Sequence, residues 1–511
     1  MTAGTPVARL SRATLDGLPP GARTSGPRVD PDALTIGIVH FGLGAFHRAH
    51  QAVFTEDAAA AAGDTRWGIL GVTGRSDTVV RQLQPQDGLY GVLTRDAHES
   101  SLRLVGSIRD VAWPGDRSGD VVETVAAATT HLATLTLTER GYPLTAEGRL
   151  DETAPGIPED RVLVARELAG ERSAEASHTP FGLLVRGLAR RYRQGGAPFT
   201  VVSCDNLADN GAVARRVVAG FAATLEPGFG DWLTASVSFP STMVDRITPA
   251  TTPGDHAIAE GLLGLTDAGL VVAEPYGRWV LEDAFAGERP PWELAGAVLT
   301  DDVAPYETIK LRVLNTAHLL LAWTGRLRGH ATIAEAVGDP ELRELARRTI
   351  DDDILPTLVA PVGVDLAAYR DAVLDRFANP ALAHTTAQVG SSGSQKLPIR
   401  VVGTVLDRLA AGAVPHGLAH LVAAWIALAA RSTLPGGPAL DDPGAGELRA
   451  RIGGPDALRT DPASAVRRVL AWVAVFPPEL AAHTGFRDAV VAELTGIEAR
   501  LASASTTRST A

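Results

Sequence analysis

Of the 47 basic residues in this chain only Lys310 and Lys396 are lysines; the rest are arginines. Arginine keeps its proton in proteins, whereas a lysine drawn out of water can lose and regain one near neutral pH. In a chain that uses arginine wherever a cation suffices, both lysines are candidates for chemistry. Lys310 lies in Pro305-Tyr-Glu-Thr-Ile-Lys-Leu-Arg-Val-Leu-Asn-Thr-Ala-His-Leu-Leu-Leu-Ala-Trp323, which reads as one helix. With Lys310 at zero and about 100° per residue, Glu307 falls at about 60°, His318 at about 80° and Asn315 at about 140°. Leu311 and Leu314 share that arc, so the polar groups are expected to line a cavity rather than a solvated face. Such a cavity suits hydride transfer to a carbonyl. Lysine moves the hydroxyl proton, the Asn315 amide steadies the developing oxyanion, and His318 orients the substrate oxygen. No metal is expected: there is one cysteine, Cys204, and His47-x-x-His50 lacks a carboxylate or thiolate companion, so it reads as structural.

A second constellation could hold the hydride carrier. Leu34-Thr-Ile-Gly-Ile-Val-His-Phe41 is a buried-strand run that ends in Gly42-Leu-Gly44 and leads into an Ala-rich helical stretch. Strand, glycine turn and helix together can seat a pyrophosphate on backbone N–H groups. The fingerprint is incomplete, with His47 where a third glycine would stand, and an ordinary βα turn fits equally well. The next strand, Trp67 to Thr73, runs into Gly74-Arg75-Ser76-Asp77. Asp77 could accept a ribose 2′-hydroxyl and Arg75 could take a 2′-phosphate, so NAD is expected with NADP left open. Ser203-Cys-Asp-Asn-Leu207 follows the strand run Phe199 to Val202, which places Asp205 and Asn206 at a strand's carboxyl end. Phe239 to Ile247 supplies Asp245 and Arg246, which read equally as a turn or a structural ion pair.

The elements that must position these groups fall into two textures. Up to about residue 300, short apolar runs (among them Leu104 to Val111 and His131 to Leu137) alternate with helical stretches, as in a parallel sheet covered on both faces. Beyond it, helical periodicity dominates: Leu366 to Phe377, Ile399 to Ala411, His416 to Arg431 and Ala463 to Val475. The expected fold is α/β, with an N-terminal arm over 1–30, a Rossmann-type doubly wound domain over 31–300 and a mostly α-helical domain over 301–511. The 511 residues are 45% hydrophobic and 21% charged, which excludes a disordered chain. A net charge of −12 without a basic block argues against nucleic acid. The longest apolar run, Leu421 to Ala430, falls short of the ~18 residues a membrane span needs. The opening residues lack an apolar signal core. A cytoplasmic protein is expected.

Five ordered motifs then resemble one family. They are Gly42-Leu-Gly-Ala-Phe-His-Arg-Ala-His-Gln51, Thr138-Glu-Arg-Gly-Tyr142, Ser203-Cys-Asp-Asn206, Met243-Val-Asp-Arg-Ile247 and Lys310-Leu-Arg-Val-Leu-Asn-Thr-Ala-His318. Together, over about residues 35–480, they resemble the polyol-specific long-chain dehydrogenases, a family that includes mannitol 2-dehydrogenases and fructuronate reductases. The resemblance implies metal-independent catalysis with Lys310 as general acid/base, Asn206 and Asn315 as the oxyanion hole and His318 on the substrate. It also implies that Asp245 orders the site, that Glu307 and Glu139 lie on a proton path, and that Gly42, Gly44, Ala45 and Phe46 meet the cofactor. Lys396, in Gly393-Ser-Gln-Lys-Leu-Pro398, matches a substrate-binding lysine, and Lys396 or Arg400 could pair with a substrate carboxylate. Gln388, where mannitol dehydrogenases tend to carry arginine, and Glu274 to Asp283 resemble the fructuronate branch. Thr316-Ala317 and Ser391-Ser392 depart from the usual motifs. The expectation is NAD(P)-linked interconversion of D-fructuronate and D-mannonate by a monomer or homodimer. The alternatives are a mannitol 2-dehydrogenase or related polyol enzyme, a non-catalytic nucleotide sensor, and a Rossmann methyltransferase.

Overall fold

The apolar run after Leu34 forms the strand Ile36–Phe41 (β1), in a computed structural model that describes residues 7–18, 21, 23–74, 76–96, 99–223, 225–382 and 384–509. The chain divides into two compact units, residues 1–304 and residues 305–511. In the first unit β1 joins Gly68–Val72 (β2), Ile108–Ala112 (β3), Leu132–Leu135 (β4), Phe199–Ser203 (β5) and Val237–Ser238 (β6). Their spatial order is 3-2-1-4-5-6, and every pairing is parallel. Val39 and Phe41 of β1 enter one apolar cluster with Val121 and Val125, while Ile38 enters another with Ala52 and Phe54. With helical residues on both faces, the strand has no solvent-facing side, which is why its sequence does not alternate. Strand order reverses between β1 and β4, and ligands of such sheets bind beyond the strand ends at that point.

Two smaller sheets complete this unit. Thr242–Asp245 (β7) pairs antiparallel with Arg278–Glu282 (β8), which pairs parallel with Val298–Thr300 (β9). A four-stranded sheet unites Thr24–Ser25, Ser100–Val105, Tyr90–Arg95 and Val271–Ala273. The run Leu104 to Val111 is therefore not one strand, since Ser100–Val105 and Ile108–Ala112 belong to different sheets. The break falls at Gly106, whose N–H donates to the buried Glu56 carboxylate and where a Cβ would meet Pro31 Cγ at 2.7 Å. The helical stretch after Gly44 is likewise two helices, Ala45–Ala49 (α1) and Gln51–Ala62 (α2), parted at His50 with φ −125° and ψ −86°.

The second unit is helical around one apolar core. The helix His416–Arg431 is its axis, buried from Leu418 to Ala430. The expectation of regular α-helices fails at three places. Lys310–Asn315, Thr349–Ile354 and Pro398–Val402 are π-helical. A wider turn of this kind is rare and recurs at functional sites.

Candidate active site

The π-helical turn decides how the lysine helix presents its polar groups. Hydrogen bonds that close from residue i to i+5 bring Asn315 over Lys310, and the α-helix Thr316–Arg328 then carries His318 on from Asn315. The uniform spacing of about 100° assumed from sequence had separated Asn315 from Lys310; the extra residue in the turn closes that gap. Lys310 and Asn315 are buried. Asn315 Nδ2 and His318 Nε2 are both buried without a hydrogen-bond partner. Buried polar atoms are seldom left this way, and two of them one helical turn apart are what a substrate oxygen would satisfy. Glu307 lies on the preceding helix Ala304–Ile309, half-buried. Thr316, one of the departures from the motif, donates its hydroxyl to the Arg400 carbonyl at 2.9 Å, tying two π-helical turns together.

His318 stacks on Phe377 with ring centroids 4.4 Å apart and lies 5.7 Å from His384. Burial pushes its pKa well below the usual histidine value, and His384, Arg400, Lys396 and Arg376 push it further down. Arg400, Lys396 and Arg376 are the cations among these neighbours, whereas burial lowers the pKa of His384, and Asp442 and Asp441 act on Lys396 in the opposite sense. Lys396 donates from Nζ to the Val389 carbonyl at 2.9 Å. Burial and then Arg400 lower its pKa to about 8. Gln388 faces solvent, and its amide oxygen closes the capping box of the helix Thr386–Val389. Ser391 donates to the Gln388 carbonyl at 2.8 Å, and Ser392 takes the left-handed backbone that starts the helix Gly393–Leu397.

In the first unit, Asn206 and Asp245 ride on a tightly wired pair of segments. Asn206 is exposed just beyond β5, and Asp245 ends β7 in a buried position. Asn210 joins the two: its Nδ2 donates to the Asp205 and Thr242 carbonyls, each at 2.9 Å, and its Oδ1 accepts from the Thr242 N–H at 2.9 Å. Thr242 Oγ1 donates to the Ser203 carbonyl at 2.7 Å. Asp205 accepts from the N–H groups of Leu137 and Thr138, at 2.9 and 2.6 Å, and from the Tyr142 hydroxyl at 2.6 Å. Burial raises its carboxyl above the ordinary value against the pull of those donors. Asp205 thereby holds the segment on which Thr138 turns through φ +64° and exposed Glu139 follows. Asn210 and Thr242 were not singled out by sequence reasoning. Asn210 stands four residues past Asn206 in an ordinary helix start, and nothing local marks it. Arg246 is structural, donating to the carbonyls of Ala49 and Glu274.

The glycine turn caps β1. Gly42 sits at φ +96°, where a Cβ would run into the Thr136 carbonyl oxygen. At Gly44 a Cβ would meet only the Gly42 carbonyl oxygen, at 3.6 Å, so the turn is open on that side. Ala45 and Phe46 open α1, and the Phe46 ring stacks on His50 at 5.1 Å. A turn that is open at Gly44 and tucks its one side chain, Leu43, inward against Gly71, at the switch point of a parallel sheet, fits a dinucleotide pyrophosphate. Asp77 precedes the helix Thr78–Leu83 and pairs with Arg81 at 2.7 Å, while Arg75 lies outside the described residues. Among the described residues no group of three or more His, Cys, Asp or Glu side chains could hold a metal ion, and no helix is long and apolar enough to cross a membrane.

Comparison with known proteins adds three findings. The family model for the mannitol dehydrogenase Rossmann domain matches residues 36–294, and that for the mannitol dehydrogenase C-terminal domain matches residues 302–498. Among curated relatives, D-mannonate oxidoreductase of Escherichia coli is 38% identical over 405 residues, 78% of this chain and 81% of the relative. Polyol:NADP oxidoreductase of Gluconobacter oxydans is 37% identical over 402 residues, 78% of this chain and 80% of the relative. Among solved structures, Pseudomonas fluorescens mannitol 2-dehydrogenase, in ternary complex with NAD and D-mannitol, superposes with a TM-score of 0.79 at 32% identity, covering 98% of this chain and 99% of that one.

Proposed function

The chain belongs to the mannitol dehydrogenase family of oxidoreductases that act on CH–OH groups, and from that footing we propose that it interconverts D-fructuronate and D-mannonate with NAD. The observation that carries the sugar-acid reading is the positive surroundings of His318. Lys396, Arg400 and Arg376 act on that imidazole, and a substrate carboxylate would be drawn to these cations where an uncharged polyol would not. The match to D-mannonate oxidoreductase agrees with this choice. Gln388, a neutral amide engaged in a helix cap, adds no cation.

In this reading the nicotinamide, when bound, gives or takes the hydride. Lys310 holds the proton that the substrate oxygen gains on reduction and loses on oxidation. Asn315 Nδ2, buried and unpaired, donates to that oxygen as charge builds on it. His318, neutral because burial and its cationic neighbours suppress its charge, orients the sugar through Nε2. Asn206 is assigned as a further amide donor to substrate, Asp245 as the carboxylate that orders the site, and Glu307 and Glu139 as carriers of the proton towards water. Lys396 and Arg400 bind the carboxylate. NAD is preferred because Asp77, a carboxylate just beyond β2, could accept the ribose 2′-hydroxyl.

A second reading, a mannitol 2-dehydrogenase, is favoured by the near-complete superposition on the Pseudomonas enzyme. The two separate in one assay: loss of reduced-nicotinamide absorbance with D-fructuronate or D-fructose, each with NADH and with NADPH. The proposal expects turnover of fructuronate with NADH. Turnover of fructose alone assigns the polyol reaction instead.

A further inference from the structure

His40, on β1 two residues before the glycine turn, has no part in the reaction as described, yet its surroundings give it one defined state. It is fully buried, opposite Thr134 in the β1–β4 register, and its ring stacks on that of His47 with centroids 3.3 Å apart and planes 11° from parallel. Its Nδ1 lies 2.8 Å from Thr134 Oγ1 and its Nε2 3.0 Å from Thr136 Oγ1. Thr136 Oγ1 is also 2.8 Å from the Gly42 carbonyl oxygen. A carbonyl can only accept, so the one hydroxyl proton of Thr136 goes to Gly42. Thr136 must then receive its other hydrogen bond from His40, which places the ring proton on Nε2. Nδ1, left bare, accepts from Thr134. The chain runs one way: Thr134 to His40, His40 to Thr136, Thr136 to the Gly42 carbonyl.

That carbonyl belongs to the Gly42–Leu43 peptide, whose N–H at Leu43 donates to the Val72 carbonyl at 3.0 Å. The peptide is thus clamped at both ends, by the β4 side through the threonine and by the β2 side through Val72. The clamp comes immediately before Gly44, the open position of the turn. We propose that His40 is a positioning residue for the dinucleotide: as a neutral Nε2–H tautomer it directs the Thr136 hydroxyl onto the Gly42 carbonyl and so presets the turn that receives the pyrophosphate. The state is consistent with its environment, since burial lowers the His40 pKa to about 3 and His47 is likewise held neutral by burial. In the Nδ1–H tautomer Nε2 would be the acceptor, and the single Thr136 hydroxyl proton could not serve both the ring and Gly42; an imidazolium would instead force Thr134 to accept at Nδ1. The inference rests on the dinucleotide part of the proposed function alone and is indifferent to the sugar.

The test is binding. NADH, and NADPH in parallel, are titrated by fluorescence against wild-type protein, Thr136→Val, Thr136→Ser, His40→Leu and the double variant His40→Leu/Thr136→Val. Losing a hydrogen bond that shapes the turn should raise the dissociation constant about tenfold in Thr136→Val. Thr136→Ser, which keeps the hydroxyl, should stay within about twofold of wild type. Because both residues act through one chain, the double variant should bind within about twofold of the weaker single one. A purely structural role would show as lowered melting temperatures with the dissociation constant unmoved, and that result overturns the inference. So do effects that multiply in the double variant. Should the variants not fold, ring-nitrogen NMR of ¹⁵N-histidine-labelled wild-type protein decides: a neutral Nε2–H ring at His40 across the neutral pH range is expected, and an Nδ1–H ring or an imidazolium contradicts it. Wild-type protein that binds neither dinucleotide overturns the dinucleotide reading itself, whereas wild-type binding with unmoved variants overturns this inference alone.

Discussion

At the scale of single residues, the proposed chemistry turns on the two lysines. Lys310 is proposed to move the proton, so Lys310→Ala should lower kcat by roughly 10²–10⁴ with circular dichroism and melting unchanged. Activity within a few-fold of wild type would remove it from that role. Lys396 makes a different prediction because its pKa is lowered, to about 8, by burial and by Arg400. Its cationic form is present below that value and lost above it. The KM for D-fructuronate should therefore rise as pH climbs through about 8, while the KM for D-fructose, which carries no carboxylate, stays level. Lys396→Arg, which keeps its charge at any accessible pH, should abolish the rise. A KM that climbs equally for both sugars would show that Lys396 does not meet the carboxylate. His318, already neutral, should add no acidic limb to the profile.

At the scale of elements, the positioning is done by features with unequal traces in the sequence. Asn210 joins the end of β5 to β7 through three hydrogen bonds to main-chain groups. Asn210→Ala leaves those groups buried and unpaired and should cost roughly 2–4 kcal/mol in denaturant unfolding. It should also lower turnover, because Asn206 and Asp245 ride on the joined segments. The run ending at Phe41 and the glycines after it were legible as a strand and turn because a strand buried on both faces is apolar throughout and Gly42 must take φ +96°. The Lys310 arc was legible as a polar stripe on an apolar helix. The π-helical turn within it was not: a widened turn arises from how neighbouring helices pack and leaves no periodic mark in 19 residues of sequence. The split of Leu104 to Val111 into two sheets escaped for a related reason, since the buried Glu56 that takes the Gly106 N–H lies 50 residues away. Asn210, whose partners are brought to it only by the fold, had no local signal at all.

At the scale of the whole molecule, the family match spans both units, and each unit encloses its own apolar core. The first carries the parallel sheet and its open turn, and the second the lysine helix and its cationic neighbourhood. A dinucleotide that binds only folded protein stabilises it by mass action, by about 2.7 kcal/mol at a hundred times its dissociation constant. NADH should thus raise the melting temperature in a concentration-dependent way, and a flat melting temperature would contradict the nicotinamide reading. The central proposal is that this family member acts on a sugar acid because Lys396 and Arg400 bind its carboxylate. The most direct measurement is the ratio of kcat/KM for D-fructuronate to that for D-fructose, in wild-type protein and in Lys396→Gln, with NADH as the reductant. The account predicts a wild-type ratio well above one that collapses by about tenfold or more in the variant, chiefly through KM for the acid. A ratio below one, or a high ratio that Lys396→Gln leaves untouched, would contradict it.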